Sequence, residues 1–171
     1  MRVAIVVAAG FQDEEFVYPY YRFQEVATKV LVASTSGKDE FGKFGVPARV
    51  THTTSDLLKS TVPDCLFIPG GFESPDRLRL DTSVIELVRR MDQENKLIAA
   101  ICHGPWVLIS AGIVQNRTVT GYDSIQIDLK NAGAIVPPEK VFVDGNIVSA
   151  VHYRNNAEFM KAVVASLSSS L

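Results

Sequence analysis

Ile98-Ala99-Ala100-Ile101-Cys102-His103-Gly104-Pro105 is the stretch that decides how the rest of the chain is read. Its apolar residues run on without a polar interruption, as strands do when both faces of a parallel sheet are covered. A cysteine follows at once, and a helix begins behind it. The small residues Ala99, Ala100 and Gly104 permit a sharp strand-to-helix turn. This is the layout of a nucleophile elbow, which lifts a side chain out at the edge of the sheet. A thiol placed there meets the positive end of the helix dipole, which lowers its pKa and favours thiolate. His103 beside it can supply a base or a cationic partner. The competing reading is a buried structural cysteine, the commonest fate of a free thiol; the position at a strand end favours chemistry.

Outward from this turn, strand and helix alternate. Val3–Ala8, Val30–Ala33, Asp64–Ile68 and Leu97–Ile101 read as buried strands. Helical character falls on Glu14–Ala27, with Pro19 in its first turns or at a kink, and on Ser83–Asn95, with Asp81 or Thr82 as N-cap. Val107–Ala111, stopped near Gly112, Ser124–Ala132, ended by Gly133, and Asn155–Leu167 read as further helices. Asp144-Gly145 between Val141-Phe-Val and Ile147-Val-Ser is a strong hairpin signal. Ser34–Pro47, rich in turn formers, reads as a hairpin or excursion. The expected fold is one α/β domain over residues 1–171, doubly wound, with a mostly parallel central sheet and a late antiparallel hairpin. In such sheets ligands sit beyond the carboxyl ends of the strands. The places to look are therefore after Ala8, after Ile68 and after Ile101.

After Ile68 comes Pro69-Gly70-Gly71. Paired glycines let backbone N–H groups turn toward a ligand, as an oxyanion hole requires, though an ordinary tight turn looks the same. After Ala8 comes Gly10-Phe-Gln-Asp13-Glu14-Glu15. Three carboxylates at a helix start favour the dipole. One of them, protonated and turned inward, would donate a hydrogen bond to a thiolate; spacing alone leaves open which one.

Composition narrows the field. The 171 residues carry 17 Lys+Arg against 19 Asp+Glu, a net charge of −2, and 47% are hydrophobic. The near balance argues against a whole-domain footprint for nucleic acid or an anionic membrane, and the apolar content supports a sizeable core. No apolar run reaches the roughly 18 residues of a membrane helix, and the start is too short for a convincing signal peptide, so a cytoplasmic location is expected. Two cysteines make neither a disulfide framework nor a four-cysteine zinc site. Cys65, inside a strand, reads as core; His52 reads as surface. His103, His152 and Cys102 match no metal-ligand spacing, and neither a P-loop nor G-x-G-x-x-G is present, so no cofactor or metal is expected.

Taken together, Ala100-Ile-Cys102-His103-Gly104-Pro105, Phe11-Gln-Asp-Glu-Glu15-Phe-Val-Tyr-Pro19, Gly42-Lys-Phe-Gly45, Phe67-Ile-Pro-Gly-Gly71, Ser74-Pro-Asp76-x-Leu-Arg79, Leu108-Ile-Ser-Ala-Gly112 and Asp128-x-x-Asn131-Ala-Gly133 resemble the PfpI intracellular-protease family. That family is a branch of the class I glutamine amidotransferase-like superfamily, which also contains the DJ-1 proteins. The resemblance covers nearly the whole length. It implies a flavodoxin-like three-layer sandwich with Cys102 as nucleophile. Glu15 matches the acid that hydrogen-bonds the cysteine, and His103 matches the family histidine. Asp76 falls at or near the position where PfpI-type enzymes bring a carboxylate to that histidine from a neighbouring subunit. Gly71 and the His103 N–H match the oxyanion donors, with Gly70 and Gly104 counted in the same oxyanion and substrate-binding group. Tyr122 matches an aromatic near the cysteine. A homodimer or larger homo-oligomer is implied.

The chain departs from the family in two places. Ala150-Val-His152-Tyr153-Arg154-Asn155 stands where relatives commonly have Ser-Arg-Thr-Pro-Asp-Asp, and Trp106 stands where a smaller or polar residue, often Gln, is usual. His152 joins the substrate-binding candidates, with altered substrate contacts expected if this loop borders the pocket.

The expected activity is cofactor-free cysteine chemistry: glyoxalase-type conversion or deglycation of small aldehydes and glycated amines, or intracellular peptidase action. The alternative is a non-catalytic redox sensor or chaperone using an oxidisable Cys102, or a binding relative with an inert cysteine.

Overall fold

The computed structural model describes residues 1–169. Its main sheet has seven strands, built from β1 (Arg2–Val6), β2 (Lys29–Ser34), β5 (His52–Thr53), β6 (Cys65–Ile68), β7 (Leu97–Ile101), β8 (Val141–Asp144) and β9 (Ile147–Ala150), in the order β5-β2-β1-β6-β7-β9-β8. Every pairing is parallel except β8 against β9, the late hairpin. This is the α/β arrangement expected from the alternation of strands and helices, and the flavodoxin-like form of it that the family resemblance implies.

Strand residues alternate between two cores, which is why the strands read as unbroken apolar runs. Ala4, Val6, Leu66, Ile68, Ile98 and Ala100 face one helix layer. That layer is built from α2 (Thr54–Lys59), α3 (Glu73–Leu78), α4 (Thr82–Gln93), α5 (Pro105–Ala111) and α6 (Gln126–Asn131). Val3, Ile5, Cys65, Phe67, Ala99 and Ile101 face the other, built from α1 (Asp13–Val26) and α7 (Asn156–Ser169). There Phe67 sits between Phe23 of α1 and Phe159 of α7, at ring-centroid distances of 5.6 and 6.1 Å. Among the described residues no helix is long and apolar enough to cross a membrane.

Local chemistry sets the boundaries. Asp81 caps α4 by accepting from Ser83 N–H and Val84 N–H. Gly112 ends α5 in a left-handed conformation. Pro19 lies in the interior of α1, past its first turn. The Ser34–Pro47 excursion holds a separate two-stranded antiparallel unit, β3 (Glu40–Phe41) with β4 (Pro47–Ala48). The reading of residues 124–132 as one helix is corrected to a 3-10 turn, Asp123–Ile125, followed by α6. His52, read as surface, is half-buried in edge strand β5.

From β1 the chain steps to β2 on one side and later to β6 on the other. The order therefore reverses between β1 and β6, and a crevice opens beyond their carboxyl ends.

Candidate active site

The turn after β7 is an elbow. Cys102 has φ +60°, a region that costs a non-glycine residue about 1–3 kcal/mol unless its surroundings hold it. They do: the Cys102 N–H donates to the Ala150 carbonyl at 2.9 Å, and its own carbonyl accepts from the Tyr122 N–H at 2.8 Å. The Gly104 N–H closes the turn on the Ile101 carbonyl at 2.8 Å. Gly104 is therefore corrected from a substrate contact to a turn residue. A Cβ there would lie 2.6 Å from the Ile68 carbonyl oxygen, so packing explains the glycine.

The three consecutive carboxylates at the start of α1 have three different fates. Asp13 is buried and accepts from Phe44 N–H and Val46 N–H, both at 2.9 Å, pinning the β3–β4 turn to the helix. Glu14 is exposed and accepts from the Gln12 side-chain amide at 2.6 Å. Glu15 is fully buried, and it is the carboxyl that meets Cys102. One Glu15 oxygen accepts from the Gly70 N–H at 2.9 Å. The other is buried with no hydrogen-bond partner among the described residues.

Gly70 makes this approach sterically feasible, since a Cβ there would lie 2.5 Å from both Cys102 Cβ and Glu15 Oε2. With its N–H spent on Glu15, Gly70 is corrected from an oxyanion donor to a spacer. Gly71, at φ +76°, takes the turn only glycine adopts easily, and its N–H points at the Cys102 sulfur together with that of His103.

Burial pushes the Glu15 carboxyl up to about 8, against hydrogen bonds from Gly70 N–H and Cys102 that pull it down. It is protonated at neutral pH. Burial also pushes the Cys102 thiol up, and a negative Glu15 pushes it further. This corrects the expectation of a thiol simply lowered by the start of α5. The repulsion from Glu15 disappears while Glu15 is neutral, so the Gly71 and His103 N–H groups then favour thiolate against burial alone.

His103 is half-buried, and burial lowers its pKa. Its Nδ1 lies 3.3 Å from Cys102 Sγ and its Nε2 3.5 Å from Ser124 Oγ. The ring stacks on Tyr122 at 4.9 Å and meets Trp106 edge-on at 5.0 Å. Trp106 itself is tied to Asp128 by a 2.8 Å hydrogen bond and lies behind His103 rather than in the cavity.

Cys102, His103, Glu15, Gly71, Tyr122 and His152 line one cavity of about 570 Å³. Asp76 is exposed on α3 and does not line it. Lys43, Phe44, Phe72 and Tyr153 line it without having been singled out as site residues. The Gly42–Gly45 turn carries two of them, Lys43 and Phe44, and Tyr153 lies in the loop where the chain departs from the family pattern, while Phe72 follows the Gly70-Gly71 pair. A second cavity of about 430 Å³, at the opposite ends of the strands, is lined by Asn95, Leu97 and Gly145 among others and holds neither cysteine nor histidine. Among the described residues no group of three or more His, Cys, Asp or Glu side chains is placed to hold a metal ion.

Residues 1–166 match the model of the DJ-1/PfpI family. The chain belongs to this family. The deglycase PfpI of Pyrococcus furiosus is 39% identical over 165 residues, covering 94% of this chain and 98% of that one. Protein/nucleic acid deglycase 2 of Escherichia coli is 35% identical over 144 residues, covering 84% and 83%. Among solved structures, a two-domain protein from Anabaena variabilis with DJ-1/ThiJ/PfpI-like and ferritin-like domains superimposes with TM-score 0.93 at 30% identity; the match spans 98% of this chain and 50% of that one. Oxidized DJ-1 from Toxoplasma gondii gives TM-score 0.89 at 25% identity, spanning 97% and 90%. The site of this chain brings together a cysteine sulfur, a buried carboxyl, an imidazole, and two backbone N–H groups that point at the sulfur.

Proposed function

We propose that the protein is a cofactor-free cysteine enzyme that attacks the carbonyl carbon of small reactive aldehydes or of their adducts with amines. The observation that carries this reading is the fully buried Glu15 carboxyl against Cys102, whose burial favours its protonated form. A neutral acid beside a sulfur nucleophile supports thiolate and then supplies the proton that addition to a carbonyl requires. The relatives named deglycases support the same class of substrate. A cavity of about 570 Å³ also suits a small carbonyl compound better than an extended peptide.

In the first step the sulfur–carbon bond forms as the carbonyl π pair moves onto oxygen. The N–H groups of Gly71 and His103 receive the developing negative charge, and Glu15 delivers its proton to give a hemithioacetal. With an α-oxoaldehyde, His103 or Glu15 moves the proton of the sulfur-bearing carbon to the neighbouring carbon, and the hemithioacetal hydroxyl proton passes to the neighbouring oxygen, giving the thioester of a 2-hydroxy acid. Water then releases a hydroxy acid and the thiol.

His103 makes no hydrogen bond to a carboxylate among the described residues. We infer that the protein works as a homo-oligomer in which Asp76 of a second copy supplies one. The deciding experiment follows loss of methylglyoxal and of methylglyoxal-treated amines with wild type and Cys102→Ala. Turnover by wild type that disappears in the variant supports the enzyme. No turnover on any carbonyl substrate, with peroxide adding mass at Cys102, overturns it in favour of a redox sensor.

A further inference from the structure

The site holds two imidazoles, and their nitrogens are divided differently. Both His103 nitrogens face partners within the protein, Cys102 Sγ and Ser124 Oγ. His152 lines the same cavity but uses only one nitrogen. It is the N-cap of the short 3-10 turn Tyr153–Asn155, and its Nδ1 accepts the Arg154 N–H at 3.3 Å. An accepting Nδ1 carries a lone pair, so the proton of the neutral ring is on Nε2. Burial first, then the charge of Arg154, lowers its pKa and keeps the ring neutral, against the opposing pull of Asp123 and Glu14. The ring is held between Tyr153, at 3.9 Å between centroids, and Tyr122, at 5.7 Å. Nε2–H therefore belongs to a neutral imidazole of fixed tautomer and restricted orientation, and it makes no hydrogen bond among the described residues.

We infer that His152 is a substrate-recognition residue. Its Nε2–H donates to an acceptor oxygen on the atom next to the carbon that Cys102 attacks, so the site selects carbonyl compounds bearing a second oxygen at that position. The inference rests on Cys102 adding to carbonyls, as proposed above. It assigns to His152 a contact distinct from those of Gly71 and His103, which receive the oxygen of the attacked carbonyl itself.

Two substitutions separate the two nitrogens. In His152→Asn the side-chain oxygen can replace Nδ1 as the cap acceptor, but no donor reaches the position of Nε2. In His152→Gln the amide can reach the position of Nε2, but the cap is lost. The readout is protection of Cys102 from iodoacetamide by reversible adduct formation, followed by mass spectrometry, which needs no turnover. Methylglyoxal carries the second oxygen and propanal lacks it. We expect the half-protecting concentration of methylglyoxal to rise about tenfold in His152→Asn, the weight of one ordinary hydrogen bond. It should stay within about threefold of wild type in His152→Gln, with propanal unmoved in both. A methylglyoxal value unchanged in His152→Asn, or a parallel rise for both aldehydes, overturns the inference; the parallel rise marks His152 as a structural cap. Protection without turnover in wild type counts against the enzyme reading alone and leaves the His152 comparison intact. No protection by either aldehyde in wild type overturns both.

Discussion

Cys65 and Cys102 sit on or just past neighbouring strands, belong to the same packed cluster, and are both buried. Burial pushes both thiols up. Exposure therefore does not separate the two cysteines of this molecule. Cys65 pairs in mid-sheet with Val3 on one side and Leu97 on the other, so its side chain sees only core. Cys102 stands one residue past the end of β7, where the φ +60° turn aims it at Glu15, His103 and the N–H of Gly71. The lesson is that the carboxyl edge of the sheet assembles donors and acids around one thiol, and the packed amino end of a central strand denies them to the other.

The largest expected effect tests that difference directly. Cys102→Ala should lower carbonyl turnover by about 10³-fold or more, the scale seen when a nucleophile is removed. Cys65→Ala should leave turnover within about twofold and cost about 1 kcal/mol in a denaturant titration, as a small core cavity does. Iodoacetamide on the folded protein should label Cys102 and spare Cys65. Equal labelling would erase the distinction.

Next in size is Gly70→Ala. The new Cβ would come within 2.5 Å of both Cys102 Cβ and Glu15 Oε2, so it must part the acid from the thiol. Overpacking of this kind costs about 1–3 kcal/mol, and turnover should fall about 10²-fold. A variant with wild-type kinetics would show that the contact between Glu15 and Cys102 is not needed.

Glu15→Gln probes the acid through stability. Burial pushes the folded Glu15 carboxyl up to about 8, whereas an ordinary glutamate carboxyl lies at 4.5. Between those values the folded state keeps a proton that the unfolded chain has released, so stability falls as pH rises through this window. The full difference amounts to about 5 kcal/mol. Wild-type Tm should therefore decline from pH 5 to pH 8, and the decline should be shallower in Glu15→Gln, which has no proton to lose. Parallel declines would place the titration elsewhere.

The layout of the site was legible in the sequence because strand order and strand ends carry it. Ile98–Pro105 announced the elbow, and the rule that ligands gather beyond the strand ends named three loops that do converge. Glu15 was another matter. Asp13, Glu14 and Glu15 are indistinguishable by type and spacing; the family resemblance singled out Glu15, and the packing of α1 is the physical reason that Asp13 holds the β3–β4 turn while Glu15 turns inward. Gly70 and Gly104 illustrate the converse: glycine signalled close backbone approach, but not whether the N–H remained free for a ligand. Helix α2 was missed although Thr53 and Asp56 form a capping box, because six residues are too few to show a helical period. Lys43, Phe44 and Tyr153 lie in segments the sequence marked, but which of their side chains enter the cavity depends on loop conformation.

The smallest effect concerns what a single copy of the chain leaves open. Cys65 is complete in one chain, since all that surrounds it is core. Cys102 is not complete if the imidazole beside it relies on a carboxylate from another copy. Asp76 is exposed on α3, so Asp76→Ala removes no buried contact and should leave Tm unchanged. If it partners His103 across an interface, kcat/KM should fall about tenfold while Cys102 alkylation persists. Dilution of wild type below the oligomer's dissociation constant, followed by sedimentation velocity, should reproduce the same loss. Unchanged kinetics in Asp76→Ala would remove that carboxylate from the mechanism. An activity independent of dilution while the protein dissociates would make Cys102 as self-sufficient as Cys65, leaving the edge of a single sheet as the whole of the catalytic difference between them.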